Sequence, residues 1–367
     1  MSIPFNEEEI HIVGVVPGDV RFPEIEEFDY PVTKREAMHK SIERHPVWLP
    51  NRFETQEFSP RVLPDNVARG MVVDGEPFDR NTEAGGLDMF GIKWIYEPIA
   101  GGSMESPDQI YPLENVNDWK ENIVFPDVDS WDWAAAAEAN KEFVGPNCSS
   151  QMTIVSGWFE RLISFMGFEE AAMALLDEDQ EDAIKELMLA LSDLYIDIVD
   201  HIVKFFPRVD NFLCHDDWGS QTAPFFSKDI ARKFFVPAMR RLTDHIHELG
   251  CYTVLHSCGC HGAVQIENIV AAGWDWWTPQ PMNDIDSLWR EYGDKILLSV
   301  KMDPFPEDVS EGEMVATADA WVQKYCTTPG KPVSMHYLDK PMLNKVFRKE
   351  LYVASRKAYA AWPDAND

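Results

Sequence analysis

The sequence predicts an α/β chain whose parallel strands close into a barrel. Three observations carry this. Strand and helix patterns alternate without interruption from residue 211 to about 360, which calls for successive parallel βαβ units. No Gly-x-Gly-x-x-Gly turn follows a strand, which favours a closed barrel over a dinucleotide-binding sheet. Polar and titratable residues gather at the carboxyl ends of the strands, where such a barrel carries its active site.

Each element has its own signal. Asn-Phe-Leu-Cys-His (211–215) reads as a strand. Ser227 then caps a helix that runs to Leu249, with Ile230, Phe234, Phe235, Ala238, Leu242, Ile246 and Leu249 on its apolar face and Gly250 as its stop. Pro237 should bend it. A strand at 252–256 is followed by a helix from Ala263 to Ala272, closed by Gly273. Strands at 274–279, 296–302 and 332–337 alternate with helices at 284–292, 311–325 and 341–360.

The first half is less regular. A helix is expected at 33–44, and Pro-Val-Trp-Leu-Pro (46–50) reads as the first barrel strand. Met-Thr-Ile-Val (152–155) reads as another. A long amphipathic helix covers 179–206, with Ile184, Leu187, Leu191, Leu194, Ile198 and Ile202 on one stripe. Residues 51–145 are rich in Pro, Gly and Trp and read as an insertion with a small hairpin, folded over the barrel mouth. The acidic run from Glu178 to Asp182 suits a helix start, where the macrodipole favours negative charge. The whole chain, 1–367, reads as one domain.

Bulk composition removes several function classes. The chain carries 63 Asp and Glu against 32 Lys and Arg, a net charge of −31. That disfavours nucleic acid and an anionic membrane face as partners. No run of roughly 18 apolar residues is present to span a membrane. The acidic N-terminal stretch lacks the charged and apolar regions of a secretory signal. Six scattered cysteines read as reduced thiols in a cytoplasmic protein, with Cys148, Cys251 and Cys326 as ordinary buried or half-buried groups.

The densest chemistry lies in Tyr252-Thr-Val-Leu-His-Ser-Cys-Gly-Cys-His261. Side chains alternate along a strand, so His256 and Cys258 leave it on the same face. An imidazole and a thiolate side by side make half of a zinc site. Cys260 and His261 either join that metal or form a tight helix entry. Asp216 and Asp217 end the preceding strand and either serve substrate positioning and acid–base work or cap a turn. Trp274, Trp276 and Trp277 suggest a stacking platform, although strand alternation sends at least one of them into the core. His215, His245 and His247 read as structural.

These residues carry a family resemblance. The stretch from Asn211 through His-Asp-Asp-Trp-Gly-Ser (215–220) to His-Ser-Cys-Gly (256–259) resembles the uroporphyrinogen decarboxylase superfamily, and more narrowly its cobalamin-dependent methyltransferase-like branch. Asp88-Met-Phe-Gly-Ile-Lys-Trp94, Phe125-Pro-Asp-Val-Asp129, Phe159-Glu-Arg161, Met166-Gly-Phe-Glu-Glu170 and Glu291-Tyr-Gly-Asp294 extend the likeness over nearly the whole chain. The resemblance implies a single (β/α)8 TIM barrel. True uroporphyrinogen decarboxylases grip propionates with an arginine-rich early motif; here Pro46 to Phe53 offers Arg52 alone. The methyltransferase branch binds zinc with His-x-Cys and a late Cys. His256 and Cys258 match the first two; Ser334 stands at the spacing of the third, and His336 is the candidate replacement.

The resemblance therefore implies a methyltransferase that moves a methyl group between a corrinoid and a small thiol or pterin acceptor. The corrinoid would be methylcobalamin or a corrinoid protein, since no Asp-x-His-x-x-Gly cobalamin signature is present. Zinc at His256, Cys258 and His336 would assist, Asp216 and Asp217 would be catalytic, and Trp218 and Gln280 would contact the cofactor. A homodimer is a further expectation. The competing class is a decarboxylase-like lyase acting on a carboxylated ring without metal.

Overall fold

A computed structural model describes residues 3–16, 24–99, 102–335 and 340–363. The fold class is α/β and TIM-barrel-like, with strands β1 Ile12–Val16, β2 Ile25–Phe28, β3 Thr55–Phe58, β4 Gly86–Leu87, β5 Lys93–Glu97, β6 Gly102–Glu105, β7 Ser149–Ile154, β8 Val209–His215, β9 Tyr252–Ser257, β10 Trp276–Pro279, β11 Leu297–Ser299 and β12 Val333–Ser334. The chain forms two compact units: Gln56–Gly145 with Ser150–Asp275, and the remainder.

In the unit that holds Ser150–Asp275, β9, β8, β7 and β3 lie side by side in that order. β7, β8 and β9 are parallel, with Leu213 opposite Thr153 and Val254, and His215 opposite His256. The connection from β7 to β8 runs through the helices Trp158–Met166 and Phe168–Ala174 and ends in the long helix Glu181–Phe205. Its predicted stripe is fully placed: Ile184, Leu187, Leu191, Leu194, Ile198 and Ile202 are all buried. Each such side chain contributes about 1.5–3 kcal/mol of burial free energy.

The helix after β8 is capped by Ser227, which accepts from the amide of Ile230. Its second turn, Ala231–Phe235, widens into a π turn before the α-helix Val236–Glu248. Pro237 accounts for this: it has no amide to donate, and its ring would press on the carbonyl four residues back. Trp274 is buried in this unit, so it packs and offers no exposed stacking face.

The segment 56–145 is more structured than a hairpin. It supplies β3 and a three-stranded antiparallel sheet, β4-β5-β6. Asp65 and Asp88 of this segment both pair with Arg161, which is fully buried on the helix Trp158–Met166. A buried guanidinium needs such compensation, and the two carboxylates fix the insertion to that helix.

In the other unit, β10, β11 and β12 are parallel neighbours in sequence order. Trp276 and Trp277 are completely buried, and Trp276 donates to Ser299. Residues 46–50 do not form the expected strand. Two prolines bracket the segment, and the contact that follows is one parallel bridge, Asn51 to Met335. The helix expected at 33–44 runs over Lys34–Ile42 and is capped by Thr33. Among the described residues no helix is long and apolar enough to cross a membrane.

Candidate metal centre

β8 and β9 end in register, so His215 and His256 stand side by side on one face, their rings stacked with centroids 5.2 Å apart. Cys258 lies two residues beyond His256. Its Sγ is 3.5 Å from His256 Nε2 and 3.9 Å from His215 Nε2. One donor atom from each of the three lies within 4.8 Å of the others. Donors sharing a tetrahedral zinc at ordinary Zn–N and Zn–S lengths stand about 3.6 Å apart, so this set fits zinc. Two imidazoles and a thiolate are also the ligand types zinc prefers.

The surroundings complete the fit. His215 Nδ1 is 2.8 Å from Glu160 Oε2, leaving Nε2 to face Cys258. A carboxylate on the far nitrogen is the usual way to fix the tautomer and orientation of a ligating histidine. Burial alone would raise the Glu160 pKa, but His215 and Arg69 hold it below its ordinary value. Burial would lower His215; Glu160, Cys258 and Asp217 outweigh it and raise that ring well above its ordinary value. Arg69 Nη2 lies 3.5 Å from Glu160 Oε1, and its Nη1 donates to Ser156 at 2.7 Å. Burial raises the Cys258 thiol, with His215 opposing.

The loops after β8 and β9 are locked together by glycine. Gly259 has φ +95°, and a β-carbon there would sit 2.1 Å from the carbonyl oxygen of Gly219. The Cys260 amide donates to the Ser220 carbonyl at 2.7 Å. The glycines of Asp-Asp-Trp-Gly and His-Ser-Cys-Gly thus exist for one close approach, which sets Cys258 beside the histidines.

The predicted site residues divide by place. Asp217 is half-buried; its Oδ1 accepts from the Cys258 amide at 2.7 Å and lies 3.4 Å from His215 Nε2. Asp216, expected among the reacting groups, is instead sealed in the interior. It accepts from the Glu160 amide at 3.0 Å and the Trp218 indole at 2.8 Å, and burial pushes it up to about 7. Its role here is to hold the helix start that carries Glu160. Trp218, expected against a cofactor, is fully buried against Phe226 and Phe235 and acts through Asp216. Gln280 belongs to the other unit, where its carbonyl accepts from Asn283. His336 lies outside the described residues. His261 is buried, pushed down to about 4 by desolvation, and 3.4 Å from the Ser257 carbonyl, so it serves the helix entry.

Two residues of the site escaped the sequence reading. His215 reads from the sequence as structural, although its place at a strand end is the same signal that singles out His256. Glu160 lies within Phe159-Glu-Arg161, but no local pattern shows that it reaches a residue 55 positions away.

The chain matches no known family profile and no curated protein. It is similar in structure to a methyltransferase from Methanosarcina mazei, with a TM-score of 0.56 and 16% identity over 90% of this chain and 100% of that one. It also aligns with a GH27 β-L-arabinopyranosidase from Geobacillus stearothermophilus at a TM-score of 0.36 and 11% identity, covering 88% of this chain and 78% of that one. The catalytic domain 2 of an Ostrinia furnacalis Group II chitinase aligns at 0.30 and 10%, over 75% and 61%. At 16% identity the first likeness is one of fold, and it agrees with the TIM-barrel-like architecture.

Proposed function

We propose that this protein is a methyltransferase of the uroporphyrinogen decarboxylase-like superfamily. In this reading it moves a methyl group between a corrinoid, methylcobalamin or a corrinoid protein, and a small thiol or pterin acceptor. The observation that carries the reading is the convergence of His215 Nε2, His256 Nε2 and Cys258 Sγ at the ends of adjacent strands. The fold shared with a methyltransferase from Methanosarcina mazei supports it.

His215, His256 and Cys258 would hold zinc, with His215 as the third ligand, the role for which the sequence offers His336. Bound there, zinc lowers the pKa of a thiol and supplies a thiolate at neutral pH. The chain's own groups do the rest by positioning. Glu160 holds the His215 ring so that Nε2 faces the cluster, and Arg69 keeps Glu160 ionised. Asp217 holds the Cys258 backbone through its amide. The sealed Asp216 ties the loop after β8 to the helix that bears Glu160. Because Asp216 is closed to solvent, the lyase reading would have to rest on Asp217 alone.

The test is metal analysis of anaerobically purified protein, followed by mixing with methylcobalamin and candidate thiols. About one zinc per chain is expected, lost in His256→Ala and Cys258→Ser, with a thiol-dependent change in the corrinoid absorbance. Metal-free protein that binds a porphyrinogen tightly would instead establish the lyase.

A further inference from the structure

A groove of about 610 Å³ opens between the helix Phe168–Ala174 and the loop that leads to the Ser227 cap. The helix and its cap turn Ala171, Ala174 and Leu175 inward, where they are buried. The outward stripe is Glu169, Ala172, Met173 and Leu176, spaced i, i+3, i+4 and i+7, and all four line the groove. Met173 and Leu176 are 62% and 66% exposed. The helix thus carries an apolar stripe on each side, and only one is covered. On the facing wall, Phe225 stands edge-on to Phe168 with ring centroids 4.9 Å apart, and its amide donates to the Trp218 carbonyl at 2.9 Å. The groove is therefore preformed, which lowers the cost of filling it.

Its rim has one sign. Residues 168–184 contain no lysine or arginine. Glu169, Glu170, Asp177, Glu178 and Asp179 are exposed, and none has an ion-pair partner among the described residues. The cations that follow Ser227 on the facing element are already engaged, Lys228 by Glu267 and Lys233 by Glu181. A second copy of this chain would set the acidic rim against itself, a like-charge contact that opposes association. An apolar trough between acidic edges instead fits a partner with apolar residues along one side and lysine or arginine beside them. The lining residues belong to helix and loop. An extended segment would find no strand edge there to pair with, whereas a helix needs only its side chains.

We infer that this groove docks a basic amphipathic helix of a partner protein, with the apolar stripe of that helix on Met173, Leu176 and Phe225 and its cations on the acidic rim. A methionine beside aromatic rings suits such a surface, because its unbranched side chain adapts to the anchor it meets. The inference does not depend on zinc or on methyl transfer.

The experiment is fluorescence anisotropy of the full chain with a labelled synthetic peptide of about 14 residues, long enough for about four helical turns, with leucine at i, i+3, i+4 and i+7 and lysine elsewhere. Three comparisons accompany it. A scrambled peptide of the same composition keeps the charge and loses the apolar face. A leucine–glutamate peptide keeps the face and reverses the charge. The double variant Met173→Gln, Leu176→Gln leaves the charge of the protein unchanged and alters only exposed side chains, so circular dichroism should show it folded. The lysine peptide is expected to bind with a micromolar Kd, the scrambled peptide and the double variant to weaken binding at least about tenfold, and the leucine–glutamate peptide not to bind at about 100 μM. Equal binding of the scrambled peptide would reduce the effect to attraction by a chain of net charge −31. Unchanged binding by the double variant would place it elsewhere. Either result, or no binding at all, overturns the inference. So does a dimer of the parent protein, seen by sedimentation, that the double variant lacks, because a second copy would then be the occupant. None of these readings uses zinc or methyl transfer, so failure of the proposed function leaves them untouched.

Discussion

Glu160 touches no group that would react, yet it determines whether His215 can act as a ligand. Its carboxylate takes the Nδ1 side of the ring, and the remaining nitrogen faces Cys258 at 3.9 Å. Glu160→Gln keeps the side-chain shape but weakens the anchor, and it leaves Arg69 without its carboxylate. Outer partners of this kind are worth about 10–100-fold in metal affinity. We therefore expect zinc affinity, measured by competition with a chromophoric chelator, to fall by that factor while the far-ultraviolet spectrum stays unchanged. Unaltered affinity would remove His215 from the ligand set. His256 and Cys258 are legible because they lie two residues apart at the end of β9, where strand alternation predicts one face and the Gly259 turn keeps Cys258 beside His256. His215 is not, because its neighbour is chosen by inter-strand register, which no short pattern encodes.

At the scale of elements, periodicity read the helices well and the strands partly. The Glu181–Phe205 helix and the Ser227 cap follow from spacing and cap chemistry that are local in sequence. Residues 46–50 have the composition of a strand, but their prolines withhold ladder donors, and β3 forms further on at Thr55–Phe58. The three short strands of the insertion have too few residues for a period-two signal to stand out. The loop lock between Gly219 and Gly259 was invisible as a contact, although both glycines were visible as motif positions. It gives a paired prediction. Gly259→Ala must accept a positive φ and a β-carbon 2.1 Å from a backbone oxygen, whereas Gly250→Ala meets a positive φ of 75° with nothing within 4 Å. The second should cost about 1 kcal/mol, the first at least about 3 kcal/mol. Urea midpoints of the two variants measure the difference. Zinc affinity should fall in the Gly259 variant alone, because that turn sets Cys258.

At the scale of the whole molecule, the two ends of the chain meet, a contact that no local pattern could have shown. Glu9 lies in the first described turn, and Arg356 in the last helix, Lys345–Ala360. The guanidinium grips the carboxylate with two bonds, Nε to Oε2 at 2.7 Å and Nη2 to Oε1 at 2.8 Å, and the Tyr352 hydroxyl adds a third at 2.8 Å. Both charged residues are buried. Removing one partner of a buried pair strands the other, so Glu9→Gln should cost about 3 kcal/mol at pH 7. The pH dependence has a definite sign. Burial would raise the Glu9 pKa, but the bonds from Arg356 and Tyr352 outweigh it and hold it below the ordinary 4.5. A carboxylate depressed on folding contributes its full stability above its unfolded value, and loses it as pH falls through the folded value. The stability gap between the parent protein and Glu9→Gln should therefore be constant from pH 7 to about 5.5 and shrink steadily below 4.5. Urea unfolding of both proteins across that range measures it. A gap that stayed flat down to pH 3 would mean that the charge of Glu9 plays no part, and that the ends are held by packing of Phe28, Trp48 and Tyr352 alone.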